Sequence, residues 1–295
     1  HCRVRVHCMP HIVDTLIEER ATELMRRPAV WWFVKTFLYP LFGYRQTIRT
    51  IDTVRDMGGL EIFRYLSDTL EMSVECSGLE HIPKRGCAVV TPNHPAGIAD
   101  GVAVYDALKS VREDITFFAN RDAIRAAPGL AELLIPVEWM EEKRTRERNK
   151  ETVKHMVRAF RDERLIVIFP SGRLARPTLR GLVERGWTPT AVNLAQKYGC
   201  PIVPMHIHGR NSWVYYLMFL INTELRDMTL FRELLNKKGQ RYRIKLGEAF
   251  EPVGDPRAVT IELREFVTDK LLRGIDRFTP VGTETPDPRP HSRSC

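Results

Sequence analysis

His94 and Asp100 stand out as residues that could perform chemistry together. They lie in the segment 92–101, which reads Pro-Asn-His-Pro-Ala-Gly-Ile-Ala-Asp-Gly. A histidine can act as a base and then as an acid near neutral pH, and a nearby carboxylate can fix its tautomer and stabilise the imidazolium ion. The sequence has no Gly-x-Ser-x-Gly nucleophile elbow, so the base would deprotonate a substrate hydroxyl directly. The alternative is that His94 only caps a helix that begins at Asp100.

The elements that must position these residues alternate between short apolar runs and longer amphipathic segments. Several runs, such as 165–169, show no polar alternation, which is typical of strands covered by helices on both faces. The pattern predicts an α/β fold, with a mostly parallel sheet flanked by helices and an N-terminal amphipathic helical extension. The predicted strands are 72–76, 87–91, 115–119, 165–169, 202–208 and 242–246, and the helices between them are 101–108, 123–134, 146–163 and 190–198.

Three regions follow from this pattern. Residues 1–70 form the helical extension, 71–278 the α/β domain, and 279–295, with four prolines, a disordered tail. Within the extension, the segment 29–44 is rich in aromatic residues and has basic neighbours, a composition that suits the headgroup boundary of a membrane. Packing against the chain's own domain is the alternative for this segment. No apolar run reaches the ~18 residues that a spanning helix needs.

Composition narrows the class of ligand and the compartment. The chain of 295 residues has 45 lysines and arginines against 37 acidic residues, a net charge of +8, which attracts anions such as phosphorylated substrates or acidic lipids. Its six cysteines show no paired spacing, which predicts a reduced cytosolic compartment. His206 and His208 share one face of a strand but lack a third ligand, so we expect no metal and no bound cofactor.

Three blocks after strands carry a resemblance to a known family. They are Asn-His-Pro-x-Gly-x-x-Asp-Gly from Asn93, Phe-Pro-x-Gly from Phe169, and Pro-Ile-Val-Pro from Pro201. In this order, over about 77–250, they resemble the first, third and fourth sequence blocks of the glycerolipid acyltransferase superfamily, which includes the 1-acylglycerol-3-phosphate acyltransferases.

The resemblance implies roles for single residues. His94 is similar to the family's catalytic base and Asp100 to its orienting acid. Arg121 resembles the basic residue of the second block, which helps to hold the acceptor's phosphate. The other implied positions are Ser171, Gly172, Arg173 and Arg210 at the acceptor, and Val203 and Pro204 at the acyl chain. For Arg121, Arg173 and Arg210, a surface ion pair is the alternative.

Two departures from the family pattern matter. Five residues separate His94 from Asp100, where four are usual, and this HX5D spacing resembles the hemolysin-like branch associated with ornithine-lipid synthesis. The Gly-Arg-Asn-Ser sequence that begins at Gly209 is similar to that branch as well. Ser171 stands where the third block usually has Glu, and Arg173 arrives early. The acceptor headgroup therefore stays open.

The sequence thus predicts a peripheral O-acyltransferase at the cytoplasmic face of the membrane. It would move a fatty acyl chain from acyl-CoA or an acyl carrier protein to the hydroxyl of a lyso-lipid. The alternatives are a catalytically inactive lipid-binding protein, or a lipid hydrolase that uses Ser171 as nucleophile. The basic runs 143–148 and 237–238 lack interleaved aromatics, so we expect a solvated face or contact with acidic lipid headgroups there, and no nucleic acid.

Overall fold

A computed structural model describes residues 10–138, 145–178 and 181–280. The predicted tail 279–295 lies outside these residues from position 281 onward, as do residues 143–144 of the first basic run.

The centre of the fold is a seven-stranded sheet. Five strands run parallel in the order β8-β2-β5-β3-β4, and β9 joins β8 antiparallel, followed by β1 parallel to β9. The predicted mostly parallel sheet is therefore confirmed. The strands of this sheet are β1 (Ser73–Ser77), β2 (Ala88–Pro92), β3 (Ile115–Asn120), β4 (Leu134–Val137), β5 (Leu165–Val167), β8 (Ile202–His208) and β9 (Arg241–Leu246).

A small antiparallel hairpin lies outside this sheet, and in sequence it falls between β5 and β8. It pairs β6 (Arg176–Thr178) with β7 (Gly181–Val183). This hairpin leaves little trace in the sequence, because its strands are short and their side chains are mostly exposed.

Helices cover both faces of the sheet. On one face, α7 (Ile98–Leu108) and α6 (Gly59–Leu70) pack against side chains such as Val90. On the other face, α9 (Arg146–Arg161), α10 (Thr190–Tyr198) and α14 (Pro256–Glu265) pack against Val89 and its neighbours. Two-sided burial explains why the central strands lack polar alternation.

The predicted helix 123–134 is wrong beyond Ala126. The helix α8 (Arg121–Ala126) ends before Pro128, a short 3₁₀ turn follows, and β4 begins at Leu134. Proline disfavours helical geometry in the residue before it, and Ala127 is extended. A Cβ at Gly129 would lie 2.0 Å from the carbonyl oxygen of Met57. The chain therefore turns here so that it can pass close to the start of α6.

Short helices form the N-terminal extension. They are α1 (Ile12–Glu18), α2 (Thr22–Met25), α3 (Pro28–Phe33), a π-helical turn (Val34–Leu38), α4 (Tyr39–Leu41) and α5 (Tyr44–Val54). Trp31, Val34 and Phe42 pack against α11 (Trp213–Ile221) and α12 (Thr223–Met228). After α12 the chain forms α13 (Leu230–Leu235). No helix within the described ranges is both long and apolar enough to cross a bilayer.

Two expectations about single side chains are also wrong. Cys87 and Cys200, which are 113 positions apart in sequence, form a disulfide that joins the starts of β2 and β8, so the cysteines are not all reduced. Lys237, expected on a solvated face, has a side chain that is 0% exposed and pairs with Glu233.

Candidate active site

His94 and Asp100 meet in the turn between β2 and α7. The His94 Nδ1 lies 2.9 Å from Asp100 Oδ2, and the aspartate side chain is fully buried while that of His94 is 20% exposed. Because a carboxylate only accepts hydrogen bonds, Nδ1 carries the proton and donates it. The Nε2 atom is left with its lone pair, which is the arrangement that a general base needs.

Asp100, not His94, caps helix α7. Its Oδ2 accepts hydrogen bonds from the main-chain N–H of Ala96, at 2.8 Å, and of Gly97, at 2.9 Å. Gly97 is the N-cap and has φ +93°, which an L side chain rarely adopts. A Cβ there would also lie 3.2 Å from Leu174. The glycine therefore allows the tight turn that carries His94 back to the carboxylate.

Asn93 fixes the start of this turn to the neighbouring strand. Its side-chain amide donates to the Ile207 carbonyl at 3.0 Å and accepts from the Ile207 N–H at 2.6 Å. Asn93 is buried, so the paired bonds hold the ends of β2 and β8 together. This role of Asn93 was not predicted, although a polar residue at the end of a buried strand was the available signal.

Both ends of the β6–β7 hairpin hold the main chain of His94. The Ala175 N–H donates to the His94 carbonyl at 2.9 Å, and the His94 N–H donates to Glu184 Oε2 at 3.2 Å. The other Glu184 oxygen accepts from the Trp187 indole at 3.2 Å. The aromatic ring of Phe169 lies against the imidazole, with 4.3 Å between ring centroids. The base is thus positioned from both sides.

Glu184 is a buried carboxyl beside the candidate base. Burial raises its pKa, although the nearby Ser171 side chain and the hydrogen bonds from the His94 N–H and the Trp187 indole oppose this shift. From sequence, Glu184 was expected only as a residue that could line the cleft. Its distance from His94 in sequence hid the contact, which the hairpin creates.

The third block forms a tight turn close to His94. Gly172 has φ +57°, and its N–H donates to the Phe169 carbonyl at 3.0 Å, so that N–H is used inside the turn. The Ser171 hydroxyl is buried and donates to the Arg173 carbonyl at 2.9 Å. The Ser171 hydroxyl thus bonds to a main-chain carbonyl and not to a histidine, which is the partner that a serine nucleophile requires.

Not all of the other predicted site residues lie near His94. Val203 and Pro204 lie fully buried inside β8, and Val203 packs in the core. Arg121 follows β3, which β5 separates from β2, and its guanidinium pairs with Glu151. The geometry therefore gathers His94, Asp100, Ser171 and Gly172, and leaves Arg121 two strands away.

Arg210 is exposed on the loop after β8, and a buried ion pair holds this loop. Glu233 accepts from the Ser212 N–H at 2.7 Å and from its hydroxyl at 2.6 Å. Lys237 donates to Asn211 at 3.1 Å and to Glu233 at 3.3 Å. The spacing of four between Glu233 and Lys237 was the signal that sequence reasoning missed.

Within the described residues, no group of three or more His, Cys, Asp or Glu side chains could hold a metal ion. The chemistry that this site offers is acid–base chemistry by an imidazole with a buried carboxylate behind it.

Comparison with known proteins gives matches to acyltransferases. Residues 73–208 match the family model described as Acyltransferase. A lyso-glycine lipid O-acyltransferase of Phocaeicola vulgatus is 26% identical over 197 residues, which are 64% of this chain and 68% of that protein. One of the same name from Bacteroides thetaiotaomicron is 25% identical over 184 residues, with coverages of 62% and 66%. The matches thus span about two thirds of the relatives' length.

Among solved structures, the chain is similar to the 1-acyl-sn-glycerophosphate (LPA) acyltransferase PlsC of Thermotoga maritima. The two share 15% identity with a TM-score of 0.47, over 88% of this chain and 99% of that one.

Proposed function

We propose that this chain, which belongs to the glycerolipid acyltransferase superfamily, transfers a fatty acyl group from a thioester to the hydroxyl of a lyso-lipid. That it is an acyltransferase follows from the family. The acceptor, the donor and the residue roles are our proposal. The observation that carries it is the His94–Asp100 pair, in which Nδ1 lies 2.9 Å from the Oδ2 of a buried aspartate. In a neutral imidazole that donates from Nδ1, Nε2 keeps its lone pair.

The proposed reaction balances with these two side chains. His94 Nε2 takes the proton of the acceptor hydroxyl while its oxygen attacks the thioester carbonyl. The carbon–sulfur bond then breaks, and the imidazolium returns the proton to the departing thiolate. The buried Asp100 carboxylate keeps the imidazole in the correct tautomer and stabilises its cationic form. The products are an acylated lipid and a free thiol.

The relatives' names suggest which acceptor to test first. Both are lyso-glycine lipid O-acyltransferases, so a lyso-glycine lipid comes before lyso-ornithine lipid and 1-acylglycerol-3-phosphate. For the donor, we propose acyl-CoA or an acyl carrier protein. Because Cys87 and Cys200 form a disulfide, the cysteines no longer support a cytoplasmic location.

We also propose that the enzyme docks on the membrane through two apolar surfaces. The extension exposes Trp32, at 63%, together with Phe33, Phe37 and Leu41. Helix α11, which packs against the extension, contains no charged residue and exposes Trp213 at 74% and Leu220 at 78%. Large apolar side chains at this exposure, with aromatic residues among them, suit the boundary between headgroups and acyl chains.

The substitution His94→Ala tests the function. The assay measures thiol release from an acyl thioester in the presence of a lyso-lipid, with the product identified by mass spectrometry. We expect the rate to fall by about 10²–10⁴-fold, the usual contribution of a general base. The exposed His208 at the end of β8 provides the control, because His208→Ala should retain the rate. Full transfer by His94→Ala would overturn the proposal.

The same assay separates the two alternatives. An inactive lipid-binding protein releases no thiol with any acceptor. A hydrolase releases free fatty acid without an acceptor and loses this activity in the Ser171→Ala variant.

A further inference from the structure

Helix α9 carries a row of positive charges on its exposed face. The helix contains six lysines and arginines against two glutamates, so it contributes half of the chain's net charge of +8. Four of these cations are exposed and follow one another at intervals of four residues. This basic row consists of Arg146, Lys150, Lys154 and Arg158. Residues four positions apart are neighbours on a helix surface, and like charges in such positions destabilise the helix.

Most of the basic row has no carboxylate partner. Within the described parts of the chain, its first three members form no ion pair, and Arg158 reaches only Asp162, at 3.5 Å. Glu151, on the same helix, pairs with Arg121 instead. The charges of the row are therefore not explained by contacts inside the fold, and they attract an anionic surface from outside.

Two exposed valines lie beside the basic row. Val153 is 51% exposed and Val157 is 42% exposed. Valine has a lower helix propensity than lysine or glutamate, because its branched side chain loses rotamer freedom in a helix. Neither exposed valine therefore helps to stabilise α9. An apolar strip with charged residues at its border is typical of a surface that contacts another protein.

Helix α9 packs on the sheet face opposite to the one that joins the proposed membrane-docking surfaces. Phe160 of α9 packs on the same side as Val89 of β2, whereas α7 covers the other side. The helix α13, which follows α11 and α12, contacts α7. The basic row therefore faces away from the proposed membrane contact, and this placement favours a soluble partner over a lipid surface.

The helix begins at the edge of the sheet where His94 lies. It follows the carboxyl end of β4, and Arg121, which follows β3, donates to the Arg148 carbonyl at 3.2 Å. Three strand spacings separate β4 from β2, a distance of about 15 Å. A partner that docks on α9 therefore needs an extended arm to bring a reactant to His94.

We propose that the basic row and the two valines form the docking surface for an acyl carrier protein. Such a partner presents an acidic surface to the row and carries the acyl thioester on a flexible arm. The inference rests on the proposed function and selects the carrier protein over coenzyme A as the donor. Complementary charges speed the association of two proteins and make it depend on salt.

Binding of holo-acyl carrier protein tests the surface without turnover, because its free thiol permits no acyl transfer. We expect the double variant Lys150→Glu/Lys154→Glu to weaken binding by about 10- to 100-fold, since like charges then face each other. Binding by the wild type should also weaken as NaCl rises from about 0.05 M to about 0.5 M. A wild type that does not bind the carrier protein would overturn the proposal.

The matched control is the double variant Lys84→Glu/Arg85→Glu. These two exposed cations lie just before β2, at the opposite edge of the sheet, and the change in net charge is the same. The control should bind the carrier protein as the wild type does, and equal losses in both double variants would show that the docking surface is wrong. Thermal unfolding checks that the α9 variant is folded, and Lys154→Gln replaces it if it is not.

Two further probes identify what the basic row recognises. Coenzyme A alone should bind wild type and α9 variant equally, and a loss as large as that for the carrier protein would contradict the proposal. Vesicles of phosphatidylcholine and phosphatidylglycerol test the membrane. If the variant loses vesicle binding and keeps carrier binding, the row serves the membrane and the proposal is wrong. If the carrier binds as expected but no lyso-lipid is acylated, the proposed function fails and the docking surface stands.

Discussion

The substitution Asp100→Asn isolates the charge behind the candidate base. Asp100 Oδ2 accepts three hydrogen bonds, from His94 Nδ1, Ala96 N and Gly97 N. The carbonyl oxygen of asparagine can take this place, so we expect the turn and the cap of α7 to persist. What is lost is the negative charge that stabilises the imidazolium ion while it carries the proton.

The size of the effect follows from the geometry. Two unit charges about 4 Å apart interact by about 4 kcal/mol at an effective dielectric constant near 20. Asp100 is fully buried, so solvent screens this interaction little. If the transition state loses most of it, the rate falls about 10³-fold, while the Michaelis constant for the acceptor changes little.

The assay is the initial rate of thiol release at saturating lyso-lipid. The matched control is Asp106→Asn on the same helix, since Asp106 bonds to Ser67 and Lys109 and not to the site. Its rate should be that of the wild type. A folded Asp100→Asn variant whose rate stays within about tenfold of wild type would refute the reasoning.

Three further predictions concern stability. Gly97→Ala should lower the free energy of unfolding by about 1–3 kcal/mol, because Gly97 has φ +93°. The control Gly101→Ala should not lower it, since a Cβ there meets nothing within 4 Å. Equal thermal stabilities of the two variants would contradict the prediction. Burial lowers the pKa of His206 to about 4 from 6.5, so the neutral form stabilises the fold above pH 6.5. About 3 kcal/mol should be lost as the pH falls toward 4; His206→Gln should flatten this slope in urea titrations, and an unchanged slope would count against it. Lys237→Met should cost about 3–5 kcal/mol because it leaves Glu233 buried and without its lysine. A double variant that also carries Glu233→Leu should recover part of this loss, and a purely additive double-mutant cycle would show that the pair is not coupled.

The central strands could be predicted from sequence because burial on both faces leaves a direct trace. The run 202–208 was predicted with the bounds of β8, and the candidate catalytic turn lies where a strand is followed by proline and glycine. Strand β4 could not be predicted, since four residues after a proline break carry little periodicity. Burial of Lys237 depends on a partner on the same helical face, and the Cys87–Cys200 bond joins residues that no local pattern connects.

Only some of the contacts within the candidate site could be predicted from the sequence. His94 and Asp100 lie within one turn of chain, so their spacing alone predicted contact. Glu184 contacts His94 across 90 positions through a hairpin of short exposed strands. Arg121 was expected by resemblance to help hold the acceptor, and its pairing with Glu151 depends on where α9 packs, which the sequence does not reveal.

The hairpin attachment to His94 has a consequence for redesign. Ala175 and Glu184, which flank the hairpin, hold the carbonyl and the N–H of His94. An exchange of this segment would therefore also move the imidazole. A grafted segment needs to retain the residues equivalent to Ala175 and Glu184.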